Sequence, residues 1–452
     1  MRSHLPRRRT ERRGLRLWPV GVVLVLAFTA AVLVAATVFY TGWDLLGARG
    51  LKPEHRIDST TLFDLVKLAF GVVAGAGALV ALVVAYRRQR VDEDGALREA
   101  TRLHTERFTT AVGQLGEDSV AVRLGGVHAL AGLSDDAPTR ELRQTCIDVL
   151  CAYLRLPYTA ETDLPADDAD ARHAYRALRE VRHTIIRLIR DHLRLPPEHP
   201  HSWQGHDFDF TGVTFDGGDF AGAVFSGGTV DFGDAVFSGG SVSFAGAVFS
   251  GGTVDFGDAV FSGGNVSFAD VVLSGGSVRF WSAVFSGGVV AFRNARFSGG
   301  TVHFNYAKFS GGTAAFDDAA FSGGTVDFVS ARISDGSVHF ARADFSSGAV
   351  SFHGAVFSGG TVDFVNARFS GSTLSFAGAA LSGGAVLFLH ARFFGGSVRF
   401  AGAELSGGHI SFSRADFSGG AVDFSGATGV APVGLIPIGS PLHAGVILPP
   451  GW

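Results

Sequence analysis

From residue 229 to residue 427 the chain repeats every twelve residues without a gap, and a phenylalanine holds the same place in each unit. Phe232, Phe244, Phe256, Phe268, Phe280, Phe292, Phe304 and Phe316 open a series that runs in step to Phe424. A second series lies five residues behind it, as Phe237, Phe249, Phe261, Leu273 and Phe285, and reaches Phe417. Repetition at a short fixed period restricts a chain to a solenoid of stacked coils. It also argues against catalysis, because the repeated positions are structural and the variable ones contain no catalytic set.

Within a unit such as TVDFGDAVFSGG, Val230 and Phe232 alternate with polar residues, as do Ala235 and Phe237. Alternation of period two predicts short strands with one buried face. The Ser-Gly-Gly that follows supplies the corner. A twelve-residue coil is too tight for two inward Phe, one Val and one Ala at interior density. Two units per coil, twenty-four residues and four sides, are therefore expected. The return of TVDFGDAVFSGG from Thr229 to Thr253 agrees. With strands ~4.8 Å apart, about nine coils make a rod roughly 45 Å long.

At the entry to the array Phe210, Phe215, Phe220 and Phe225 are five residues apart, in DFTGV-TFDGG-DFAGA-VFSGG. Here the chain resembles the pentapeptide-repeat family, with these Phe at the central position and Ala223, Ala235 and Ala247 at the small one. Later units depart from the strict pattern by two residues at each Gly-Gly corner. The resemblance covers about half the chain and implies a right-handed four-sided β-helix.

Ahead of the array lie two apolar runs, 18–40 and 68–86, each long enough to cross a bilayer as a helix. Trp18, Tyr40, Trp43 and Tyr86 stand at their ends, where interfacial aromatics belong. Arg2, Arg7, Arg8, Arg9, Arg12, Arg13 and Arg16 precede the first run, and Arg87, Arg88 and Arg90 follow the second. The positive-inside rule then puts both termini in the cytosol. Gly71, Gly75, Ala76 and Ala78 offer a small-residue face for close packing of the second run on the first. A cleaved signal peptide is the competing reading of the first run.

The expected layout is a basic N-terminus (1–17), a first span (18–40), a short external loop (41–67) and a second span (68–86). A helical linker (87–205), the β-helix (206–427) and a C-terminal cap (428–452) follow. The order of two spans, a helical segment with RLGGVHAL and the repeat array resembles a group of actinobacterial membrane proteins, which brings no activity with it.

Little in the chain suggests chemistry. Cys146 and Cys151 lie five apart on an expected helix, poorly placed for a shared metal, and read as buried apolar residues. His192, His199, His201 and His206 with Asp207 and Asp209 are zinc-ligand types, but their spacing matches no motif. The corners lack the third glycine and the nine-residue period of a calcium β-roll. No catalytic residue, metal or cofactor is assigned.

The expected function is a membrane-anchored, non-enzymatic scaffold that presents a rigid β-helix to an unidentified cytosolic or membrane protein. An outward column read at twelve-residue spacing passes through Val236, Val248, Val260, Val272 and Val284 to Arg296, Lys308, Ala320 and Arg332. With Arg368 and Arg392 it forms the candidate contact surface. The repeat leaves the oligomeric state open. Some pentapeptide-repeat proteins mimic duplex DNA and act on DNA gyrase. The nine acidic and no basic residues from Asp207 to Asp270 keep that as the alternative. Basic residues return at Arg279 and beyond, and direct nucleic-acid binding is not expected.

Overall fold

The computed structural model describes residues 58–435 and 445–452, apart from 160, 162, 163 and 166. It also describes residues 25, 26, 28, 29, 32, 33, 36, 37, 40, 41 and 44. The chain divides into two compact units, Met1–Arg102 and Leu103–Trp452.

In the first unit the expected first span falls largely outside the described residues; those described between 25 and 44 are helical. The second apolar run belongs to helix α1, Ser59–Leu115. It is the one helix among the described residues that is long and apolar enough to cross a membrane. The helix does not stop at Tyr86, where the run ends, but continues into the stretch expected to begin the helical linker at residue 87. No proline or glycine breaker stands between Tyr86 and Asp94, and the residues there are good helix formers. Among the described residues, a Cβ added to Gly71 or Gly75 meets nothing within 4 Å. Those glycines line an open cleft with Phe28, Val32 and Leu79.

The second unit contains the end of α1, then α2 (Val120–Asp135), α3 (Arg140–Leu154) and α4 (Ala169–Arg194). Capping sets two of the starts. The Thr139 hydroxyl accepts from the Leu142 amide at 3.3 Å, and the Asp168 carboxylate accepts from Ala171 at 2.8 Å. The apolar stripe Val181, Ile185, Ile189 and Leu193 recurs every four residues along α4 and is buried.

The solenoid follows as four stacks of short parallel strands. One coil supplies face one (Thr229–Asp231), face two (Val236–Phe237), face three (Ser241–Ser243) and face four (Val248–Phe249). Beyond the first coil, strands pair with those twenty-four residues on, as Val230 with Val254 and Val236 with Val260. The two-unit coil is thus observed, and face two stacks ten strands. Inside, Val230, Phe232, Ala235, Phe237, Val242, Phe244, Ala247 and Phe249 are all buried. Phe232 stacks on Phe256 at 4.6 Å and Phe237 on Phe261 at 4.7 Å, the spacing that the strand ladder imposes. Across the coil, Phe232 meets Phe244 edge to face at 5.8 Å.

Two kinds of corner close the coil. After Phe232 the chain turns through Gly233 and Asp234, with Ala235 N–H donating to the Phe232 carbonyl at 3.1 Å. Positive φ falls on the third residue of this turn, a type II pattern. The Ser-Gly-Gly corners have a different cause. A Cβ on Gly263 would lie 2.6 Å from the carbonyl oxygen of Ser238 in the preceding coil, so glycine is needed for coils to approach. Where Ser347 takes a glycine position, the strand pairing shifts register around Ser322.

Candidate interaction surface

A four-sided coil of twenty-four residues separates the outward column that was read at twelve-residue spacing. Val236, Val260, Val284, Lys308 and Arg332 follow one another on face two. Val248, Val272, Arg296 and Ala320 do so on face four, which continues through Asp344 to Arg368 and Arg392. Faces two and four are opposite sides of the coil. Lys308 and Arg332 therefore form one exposed site, and Arg296, Arg368 and Arg392 another. The expectation failed because twelve is half a turn.

A third outward column runs along the corner between faces one and two, at the left-handed position. It holds Asp234, Asp258, Ser282, Tyr306 and Ser330, with φ between 56° and 60°. Trp281 lies beside it. Trp281 is 50% exposed and Tyr306 60%. The Trp281 ring meets His303 edge to face at 6.4 Å, and His303 Nδ1 is 3.3 Å from Asp327.

The corner between faces three and four is laced by charge from coil to coil. Arg342 donates to both oxygens of Asp318, at 2.8 and 2.7 Å, and Arg293 approaches Asp317 at 3.8 Å. Next to them His339 Nδ1 bonds the Asp363 carboxylate, which raises the imidazole pKa above its ordinary value against the opposing effect of burial.

The helices are not merely a spacer, for α4 packs onto the first coil. That coil is two residues shorter than the rest: Thr214 pairs with Val236 across twenty-two residues, whereas Gly218 pairs with Val242 across twenty-four. The shortened corner, Asp216-Gly217-Gly218, receives the helix. An added Cβ would lie 3.3 Å from His183 at Gly217 and 3.2 Å from Ile186 at Gly218. Asp216 is buried there and accepts from the Tyr158 hydroxyl at 2.6 Å, from Tyr175 and from Arg179 at 3.2 Å. His183 Nε2 stands 3.5 Å from its other oxygen. Burial alone would raise the Asp216 pKa. Hydrogen bonds from His183, Tyr158 and Tyr175 outweigh it and hold the carboxyl well below the usual range. Arg182 bridges the two parts, donating to Leu154 O at 2.6 Å and Thr214 O at 2.7 Å beneath the Tyr158 ring. Sequence reasoning missed this junction; its signal was the five-residue spacing of Phe215 and Phe220.

The histidines before the solenoid do not gather with Asp207 and Asp209; His201 approaches Asp135 at 3.7 Å and packs edge to face on His199. His192 bonds Asp135 at 3.2 Å and stacks on buried Trp203 at 4.1 Å, while His206 is buried against the Trp203 carbonyl. Asp207 serves the Thr229 amide and Asp209 pairs with Arg155. No group of metal-ligating side chains that could hold an ion occurs among the described residues. Cys146 and Cys151 are buried, and burial pushes the Cys146 thiol up to about 11. No family model, curated protein or solved structure matches the chain.

Proposed function

We propose that the chain is a membrane-anchored, non-enzymatic scaffold whose solenoid holds other proteins at the cytosolic side of a membrane. One observation carries this reading. The coils fill their interior with the repeated Val, Phe and Ala side chains and hold outward side chains in fixed columns, so the rod is a rigid surface. Protein binding is what such surfaces serve. The apolar helix α1 supports anchoring, and the flanking arginines support cytosolic termini. The resemblance to pentapeptide repeats agrees with two inward residues per face.

Arg296, Arg368 and Arg392 on face four are the contact residues for a partner. Affinity capture from native membranes of the source organism, with the full chain and with the variant Arg368→Glu/Arg392→Glu, tests this. A protein held stoichiometrically by the parent and lost by the variant is the expected result. Equal capture by both places recognition elsewhere. Release of the chain from membranes by alkaline carbonate removes the anchor from the proposal.

DNA mimicry gains nothing from the geometry. Four of the nine acidic residues that suggested it, Asp207, Asp209, Asp216 and Asp219, have carboxylates engaged internally by the Thr229 amide, Arg155, Tyr158 and Arg190 among others.

A further inference from the structure

The corner between faces one and two is complementary to itself. Take the coil that holds Trp281 as origin. One coil earlier the corner carries Asp258, and two coils earlier Asp234. One coil later the same edge carries Tyr306 and Lys308, and two coils later Arg332. Acid therefore precedes the Trp281 coil and base follows it, at equal distances. Lys308 and Arg332 are neighbours across the sheet, both exposed, with no ion-pair partner among the described residues. The centre of this edge is apolar, with half-exposed Trp281 beside Val260 and Val284.

Tyr306 is a further sign. It holds φ +60°, where an L-residue is strained, while the other non-glycine residues of this column are Asp and Ser. Strained backbone that displays an aromatic side chain is a mark of binding surfaces. The Asn305 side-chain oxygen beside it is buried without a hydrogen-bond partner.

We infer that two copies of the chain pair antiparallel along this edge, about a twofold axis through the Trp281 coil. Asp258 of each copy then faces Lys308 of the other, Asp234 faces Arg332, and the two Trp281 rings meet at the axis. An isologous contact forms each charge pair twice and gives an apolar centre with a charged rim. A parallel pairing would set Asp beside Asp, Lys beside Lys and Arg beside Arg at equal heights and is opposed by repulsion. On face one, Asp231 and Asp327 would also be related by the axis, but Asp327 is already partnered by His303, and that face turns away from the corner. The inference rests on reading the solenoid as an interaction surface. Its failure is separable from failure of the scaffold reading, because capture through face four does not involve this edge.

Lys308 allows a direct test, since it is the only lysine after Lys67. The full chain in membranes, prepared as a mixture of ¹⁴N- and ¹⁵N-labelled protein, is treated with a zero-length carbodiimide. The carboxylate and amine condense to an amide with loss of water, which the reagent takes up. The expected product is a mixed-isotope peptide joining Lys308 to Asp258 or Asp234. Lys308 joined only within one copy, or not joined, overturns the pairing. A charge exchange gives a second readout. Asp234→Lys/Asp258→Lys and Lys308→Asp/Arg332→Asp should each weaken self-association about ten-fold or more, with melting unchanged in the second and lowered in the first only by the strain of lysine at two left-handed positions. An equimolar mixture should restore it, because every pair is again of opposite sign. Self-association of either variant at parental strength, or a folded mixture that stays monomeric, overturns the proposal.

Discussion

Arg342 lies one coil beyond Asp318 and grips both of its carboxylate oxygens, at 2.8 and 2.7 Å, while both residues hold a left-handed backbone of φ +58°. An exposed pair of this kind contributes ~0.2–1 kcal/mol, less than the ~1–2 kcal/mol that a left-handed conformation costs a residue with a Cβ. The column thus stores strain wherever it is not Gly, Asn or Asp.

Arg414 shows that strain with no ion pair among the described residues, at φ +58°. Arg414→Gly should raise stability by ~0.5–1 kcal/mol, the relief being partly offset by the added freedom of the unfolded chain. Thermal melting of the two proteins checks it, and a loss of stability would contradict the strain.

The two glycine positions differ in what demands them. Gly246 needs only its φ of +66°, with nothing within 4 Å of an added Cβ, whereas Gly263 faces the Ser238 carbonyl of the preceding coil. Gly246→Ala should cost ~1–2 kcal/mol. Gly263→Ala should cost more, because backbone must move, and should disturb the neighbouring coil. Chemical denaturation compares them, and equal costs would show that inter-coil approach is not what selects glycine.

Phe280 is wholly buried between Phe256 at 4.8 Å and Phe304 at 4.7 Å. Phe280→Ala should cost ~3–5 kcal/mol. A solenoid couples mainly nearest neighbours, so amide exchange should quicken in the adjacent coils first. Uniform quickening along the rod would show wider cooperativity.

The rod was legible in the sequence because its cause is local: period-two alternation sets strands, and Phe232 to Phe424 sets the stack. The contact columns were less legible, since Val236 and Val248 share a place in the unit yet face opposite sides. The junction was hidden for a related reason. Tyr158, Tyr175, Arg179 and Asp216 come from separate segments with no common spacing, and only the two-residue shortening after Phe215 marked where they meet. The first apolar run lies largely outside the described residues, so the two-span topology still rests on composition.

His339 gives a pH dependence of definite sign. Its pKa is raised in the fold by the bond to Asp363, so its contribution is fully present below about pH 6.5, the unfolded value, and is lost as the pH rises through the higher folded value. The gap in melting temperature between parent and His339→Gln should narrow from pH 6 to pH 8. A constant gap would mean that the protonated form is not the one favoured.

Asp216 carries the opposite sign and the larger consequence. Its pKa is depressed in the fold, so its contribution is complete above the unfolded value of about 3.9 and is lost as the pH falls from there towards the folded value. Asp216→Asn removes the charge that Arg179 and His183 face while leaving Tyr158 a carbonyl oxygen to bond. Removing one partner of a buried charged group costs ~3–5 kcal/mol. The loss should fall on the docking of α4, because the partners of this carboxylate, Tyr158, Tyr175, Arg179 and His183, all belong to the helical region. Amide exchange in α4 should therefore quicken at pH 7 in the variant, and in the parent only below about pH 4, while the amides of the Phe280 coil keep their protection in both. Exchange that quickens equally in both places would show that helices and solenoid unfold as one unit.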